Sequence, residues 1–276
     1  MKPLIWIGIA ACSWAFGTVL RADETPRIER VRVFIVCGQS NALGRAPSKM
    51  ISEPYRPRLD DVDYSPGGKN ILVALAPGGQ FGPEITLGHE LRKAFADEKG
   101  TRIAILKHAA GGTDLIHHWH ADGSADSAKD GNLYAGLQTH VTEALAALKT
   151  KYPDAKIAIE GVLWVQGEAD TAGARPAYYA ANLETFVKDI RATFGPEVRF
   201  VISRFSNNQI GYGEQARNVI RAAQEKVANS DKLNGLIDTD SFSVLGDKIH
   251  YDERGQEALG KAAAAEFERL LTAPAE

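Results

Sequence analysis

Ser40, Asp247 and His250 are the residues of this chain that could together carry out acyl transfer. That chemistry needs a nucleophile, a base to take its proton and a carboxylate to orient the base. Ser40 lies in Gly38-Gln39-Ser40-Asn41-Ala42-Leu43-Gly44, directly after an apolar run. A Ser on a sharp turn past a strand sits where open α/β folds place reactive groups. Taken singly, the same Ser would suit a helix N-cap. Asp247-Lys248-Ile249-His250 supplies the other two groups, because the Asp-x-x-His spacing lets one short turn hold an imidazole against a carboxylate. Alone, it equally describes a surface histidine beside a capping aspartate. The Gly-x-Ser-x-Gly elbow is absent, since Ala42 takes its final position, and this argues against the α/β-hydrolase arrangement.

Two further segments offer donors for a developing oxyanion. In His108-Ala109-Ala110-Gly111-Gly112-Thr113, paired glycines let backbone N–H groups approach a ligand closely; a tight turn needs the same residues. In Trp164-Val165-Gln166-Gly167-Glu168-Ala169-Asp170, Gln166 brings an amide that donates without titrating.

These four segments need elements to carry them. Apolar, β-branched runs at 31–37, 102–108, 156–165 and 197–204, with a weaker one at 235–238, read as strands. Helical patterns fall at 85–99, 133–151, 174–194, 213–228 and 252–271. Strands alternating with helices predict a parallel five-stranded sheet covered on both faces, and the unbroken apolar interior of the second strand fits such burial. Two long connections, 45–82 and 111–131, start at strand ends on the Ser40 edge and are expected to wall a binding cleft. No linker interrupts residues 23–276, which read as a single domain.

A net charge of −3 leaves no basic footprint, so no nucleic-acid partner is expected. Lys2 followed by an uncharged stretch to Leu20 and a charged Arg21-Ala22-Asp23-Glu24 gives residues 1–22 the layout of an export signal. Processing as a lipoprotein at Cys12 and retention as an anchor are alternatives. Removal of that segment leaves Cys37 as the sole cysteine, hence no internal disulfide and no integral membrane span.

His117-His118-Trp119-His120 invites a metal reading, but adjacent histidines diverge and no carboxylate or Cys completes a familiar spacing. The run 122–130 lacks the central Gly and final Glu of a calcium loop, and 67–69 lacks the Gly and Ser/Thr of a phosphate loop. No metal or cofactor is therefore expected, and Trp119 is read as the apolar face of a sugar-binding wall.

Together, Gly38-Gln39-Ser40-Asn41, Gly111-Gly112-Thr113, Gln166-Gly167-Glu168 and Asp247-x-x-His250 resemble the blocks of the SGNH hydrolases. More narrowly, they resemble the sialate O-acetylesterase-like and carbohydrate esterase family 6 branch, over roughly 32–271. The resemblance implies a three-layer α/β/α flavodoxin-like fold and removal of O-acetyl groups from carbohydrates through an acyl-enzyme. It implies Ser40 as nucleophile, His250 as base and Asp247 as its partner. The oxyanion donors would be the Ser40 and Gly112 N–H groups and the Gln166 amide, with Gln39, Asn41, Trp119 and Glu168 contacting substrate. Gln166 stands where broader members carry Asn, and Ala42 where many carry Met. A short-chain acyl or lipid esterase of the same fold, and a silent carbohydrate-binding protein, are the alternatives.

Overall fold

Residues 30–38 alternate their side chains between two apolar layers, and this strand forms the middle of the molecule. The computed structural model describes residues 27–67, 72–121 and 131–273. The strands are β1 (Arg30–Gly38), β2 (Ala46–Pro47), β3 (Leu59–Pro66), β4 (Val73–Leu75), β5 (Gln80–Phe81), β6 (Thr101–Ala109), β7 (Lys156–Val165), β8 (Arg199–Ser203) and β9 (Asn234–Ile237). The α-helices are α1 (Ser40–Leu43), α2 (Pro83–Ala94), α3 (Asn132–Lys151), α4 (Tyr179–Phe194), α5 (Glu214–Ala228) and α6 (Glu253–Thr272). Residues 1–22, expected to be an export signal and holding Cys12, lie outside the described residues, as do Lys69 and the run 122–130.

Seven strands form the main sheet in the order β4-β3-β6-β1-β7-β8-β9, and β2 pairs with β5 separately. Every main-sheet pairing is parallel except β3 with β4. Val31, Val33, Ile35 and Cys37 face a core closed by α3, α4 and α5. Phe34 and Val36 face a second core closed by α2 and α6. Each fully buried aliphatic or aromatic side chain stabilises such a layer by about 1.5–3 kcal/mol. The result is the three-layer α/β/α arrangement that strand–helix alternation predicts. Cys37 is a free, buried thiol within the first core. Among the described residues, no helix is long and apolar enough to cross a membrane.

The expectation of five strands needs correction. β3 and β4 extend the sheet beyond β6, from a stretch read as cleft loop. Aspartates at 60, 61 and 63 mask β3 in the sequence. Asp63 is 1% exposed, and burial of its charge is tolerable only because Lys151 Nζ (2.5 Å), Tyr152 Oη (2.8 Å) and Arg102 Nε (3.1 Å) donate to it. Those donors come from α3, the residue after it and β6, so no local pattern announces the strand.

Candidate active site

The turn after β1 is clasped by its neighbours. Gln39 N–H donates to Val165 O at 2.9 Å and Ala110 N–H donates to Gly38 O at 3.1 Å. Gly38 has φ +134°, and a Cβ there would lie 2.1 Å from Val165 O, so only glycine fits. The chain then enters the single turn of α1, whose first residue is Ser40.

His250 arrives from the far end of the sequence. Asp252 caps α6 by accepting from Gly255 N–H at 2.9 Å, which fixes where the preceding loop must end. Within that loop Lys248 takes φ +60°, a left-handed conformation rare for a non-glycine residue, and this tight turn folds Asp247 back onto His250. Asp247 Oδ1 accepts from Ile249 N–H (2.9 Å) and His250 N–H (3.0 Å), while Oδ2 lies 2.7 Å from His250 Nδ1. The opposite ring nitrogen, Nε2, lies 3.0 Å from Ser40 Oγ. Burial pushes the Asp247 carboxyl up, but the hydrogen bonds from His250 and Ile249 outweigh it and hold the group below the ordinary carboxylate range. An ionised Asp247 only accepts, so His250 Nδ1–H donates to it and Nε2 is left free to accept from the Ser40 hydroxyl.

These groups open on a cleft of about 500 Å³ lined by Gln39, Ser40, Arg45, Gly111, Gly112, Ala169, Tyr212, Ile249 and His250. Gly112 has φ +72°, and a Cβ there would meet nothing within 4 Å. Its backbone therefore faces open space beside the Ser40 turn. Arg45, exposed and lying over Gly111, and Tyr212 were not singled out from the sequence; both stand on loops with no recurring pattern. A second cavity of about 610 Å³ opens past Gly44 and Ala109, with the buried Lys107–Glu84 pair (2.8 Å) on its wall.

Four expected roles change. Trp119 is 0% exposed and packs edge-to-face on Trp164 (5.2 Å), so it offers no face to a sugar. Its indole N–H instead donates to Thr113 Oγ1 at 3.0 Å, bracing the Gly111–Thr113 turn from behind. Gln166 is 2% exposed and not part of the cleft lining. Its Nε2 donates to Asp170 Oδ2 (2.5 Å), Thr113 O (3.2 Å) and Gln39 Oε1 (3.3 Å), which leaves no hydrogen for an oxyanion. Burial pushes the Asp170 carboxyl up to about 6, against the hydrogen bonds from Leu115 N–H and Gln166. Asn41 and Glu168 are buried and bonded to each other at 2.6 Å, and neither is part of the cleft lining. Gln39 does line the cleft, its Oε1 held by Ala169 N–H at 3.1 Å.

His117 and His118 of the 117–120 run both turn to one carboxylate: their Nδ1 atoms lie 3.0 and 3.4 Å from Asp114 Oδ1, and Arg175 Nη1 lies 3.3 Å from Asp114 Oδ2. Among the described residues, no three His, Cys, Asp or Glu side chains group as metal ligands.

The profile of the family described as carbohydrate esterase, sialic acid-specific acetylesterase, matches residues 30–269. The chain belongs to this family, and so to the carboxylic ester hydrolases that act as carbohydrate acetylesterases. No curated protein matches it by sequence. Among solved structures, a protein from Arabidopsis thaliana superposes with a TM-score of 0.69 at 17% identity, over 86% of this chain and 97% of its own. A carbohydrate acetylesterase from Xanthomonas citri gives 0.59 at 16% identity, over 86% of this chain and 56% of its own. NanS gives 0.58 at 13% identity, over 89% and 98%. At such identities these likenesses establish the shared fold.

Proposed function

We propose that this esterase removes O-acetyl groups from sugars of the acetylxylan or sialate type by serine acyl transfer. The observation that carries the reading is the continuous chain Asp247 Oδ2, His250 and Ser40 Oγ, with spacings of 2.7 and 3.0 Å, at the edge of an open cleft. Ser40 Oγ attacks the acetyl carbonyl as His250 Nε2 takes its proton. The Ser40 and Gly112 N–H groups stabilise the oxyanion. Gln39, its oxygen tied down by Ala169 N–H and Gln166 Nε2, lines the same site. Collapse releases the sugar hydroxyl, which takes the proton from His250. Water, deprotonated by His250, then attacks the acetyl-enzyme; acetate leaves and Ser40 regains its proton.

Turnover of chromogenic acetate and octanoate esters, followed by acetate release from a panel of acetylated glycans, tests the reading. Preference for acetate and release from a glycan are expected. Preference for octanoate would support the lipid-esterase alternative, and no turnover would support a silent sugar binder. The charge-then-apolar layout of residues 1–22 supports export. A cytoplasmic protein from the native host that retains Met1 would overturn that part.

A further inference from the structure

We infer that Glu168 is a positioning residue that fixes the imidazole of His250 by clamping the peptide groups on either side of it. The inference rests on the serine-esterase reading above. Glu168 Oε1 accepts two side-chain amides, Asn41 Nδ2 at 2.6 Å and Gln209 Nε2 at 3.0 Å. Each amide spends its second hydrogen on one atom, Ile249 O, at 3.3 Å from Asn41 and 2.7 Å from Gln209. Glu168 Oε1, the two amide nitrogens and Ile249 O thus close a ring, and Ile249 O belongs to the peptide entering His250. Asn41 Oδ1 accepts Tyr251 N–H at 2.9 Å, which secures the peptide leaving His250.

Neither amide can turn over. Asn41 Oδ1 is fixed by the Tyr251 N–H, and Gln209 Oε1 accepts Ser206 N–H at 3.1 Å. All three side chains are buried, so the clamp is shielded from bulk solvent. The three come from separate places: the Ser40 turn, the segment after β7 and the loop after β8. Because Asn41 follows Ser40 in the chain, the clamp ties the base loop to the nucleophile turn by backbone groups. A carboxylate oxygen is a stronger acceptor than a neutral one, and it orients two NH₂ groups at once. The second oxygen, Oε2, is buried and finds no hydrogen-bond partner among the described residues, so the clamp runs through Oε1.

The test uses the full chain and three substitutions. Glu168→Ala leaves the amides without their shared acceptor, and kcat on a chromogenic acetate ester should fall about 10–100-fold with KM changed less than about threefold. Glu168→Gln keeps a carbonyl oxygen for both amides and should recover most of the loss. Labelling of Ser40 by a small fluorophosphonate, which uses no sugar contact, should slow in parallel with kcat. Gln209→Leu removes one arm of the clamp and should give an intermediate loss, which keeps the inference testable if Glu168→Ala does not fold. Wild-type kcat in a folded Glu168→Ala or Gln209→Leu protein, or a loss confined to KM, would overturn the role. A wild type inert to both ester and label would instead overturn the esterase reading, and this role with it.

Discussion

His250 Nε2 lies 3.0 Å from Ser40 Oγ, although 210 positions separate them in the chain. That spacing falls within the range needed for proton transfer. It is produced by two rigid supports: the Gly38 turn seated on Val165, and a loop closed by the Asp252 cap.

Ser40→Ala and His250→Ala should each lower kcat by about 10⁴-fold or more, and the double variant should be scarcely slower than either. Steady-state kinetics on an acetate ester checks this. A double variant far slower than both singles would show that the two residues do not act as one unit.

Asp247 stays a carboxylate throughout the range in which an imidazole titrates, because its hydrogen bonds hold its carboxyl low. The acid limb of kcat/KM should therefore follow a single ionisation. A limb steeper than one proton would mean that Asp247 titrates with the base.

Gln166→Ala should lower kcat by less than the roughly 10²–10³-fold of a lost oxyanion donor. It should cost stability instead, about 1–3 kcal/mol, since Asp170 Oδ2 and Thr113 O lose a buried donor. Denaturant midpoints measured beside kcat separate the two effects. A 10³-fold fall in kcat at unchanged stability would return Gln166 to the oxyanion hole.

Asp170 and His108 tilt stability in opposite senses with pH. Burial raises the Asp170 carboxyl to about 6, above its ordinary value of 3.8, so its contribution is fully present below about 3.8 and lost as pH rises through 6. Burial, and then the neighbouring His140, lower the His108 imidazole from 6.5 to about 4. Its contribution is present above 6.5 and lost as pH falls towards 4. Relative to wild type, Asp170→Asn should gain Tm as pH rises from 4 to 7, whereas His108→Gln should gain as pH falls across the same interval. Calorimetry at three pH values decides it; flat differences would mean that neither group changes its proton affinity on folding.

The elements bearing the triad were legible because their signals are local: an apolar run stopped by Gly38, and an Asp-x-x-His turn before an amphipathic helix. β3 was not, because its buried Asp63 is matched by Lys151, Tyr152 and Arg102, residues assembled only by folding. Gln166-Gly167-Glu168 marks the site in the sequence, but not that Gln166 turns to Asp170 and Glu168 to Asn41. A motif gives proximity to a cleft, not which side of the backbone a side chain takes. Trp119 failed for the same reason: an aromatic in a polar loop looks exposed until its indole finds Thr113. Gln209 sits in a loop of polar residues, and nothing in its surroundings distinguishes it until Glu168 and Ile249 meet it.

Trp119 and Trp164 are the tryptophans among the described residues, stacked edge-to-face and wholly shielded from solvent. The other two, Trp6 and Trp14, lie in residues 1–22, the stretch proposed above to direct export. A processed chain therefore carries both of its indoles in one rigid pair beneath the sheet. Its emission and near-ultraviolet dichroism would follow melting of that layer. An unprocessed chain would add two fluorophores, so the same spectrum doubles as a readout of maturation.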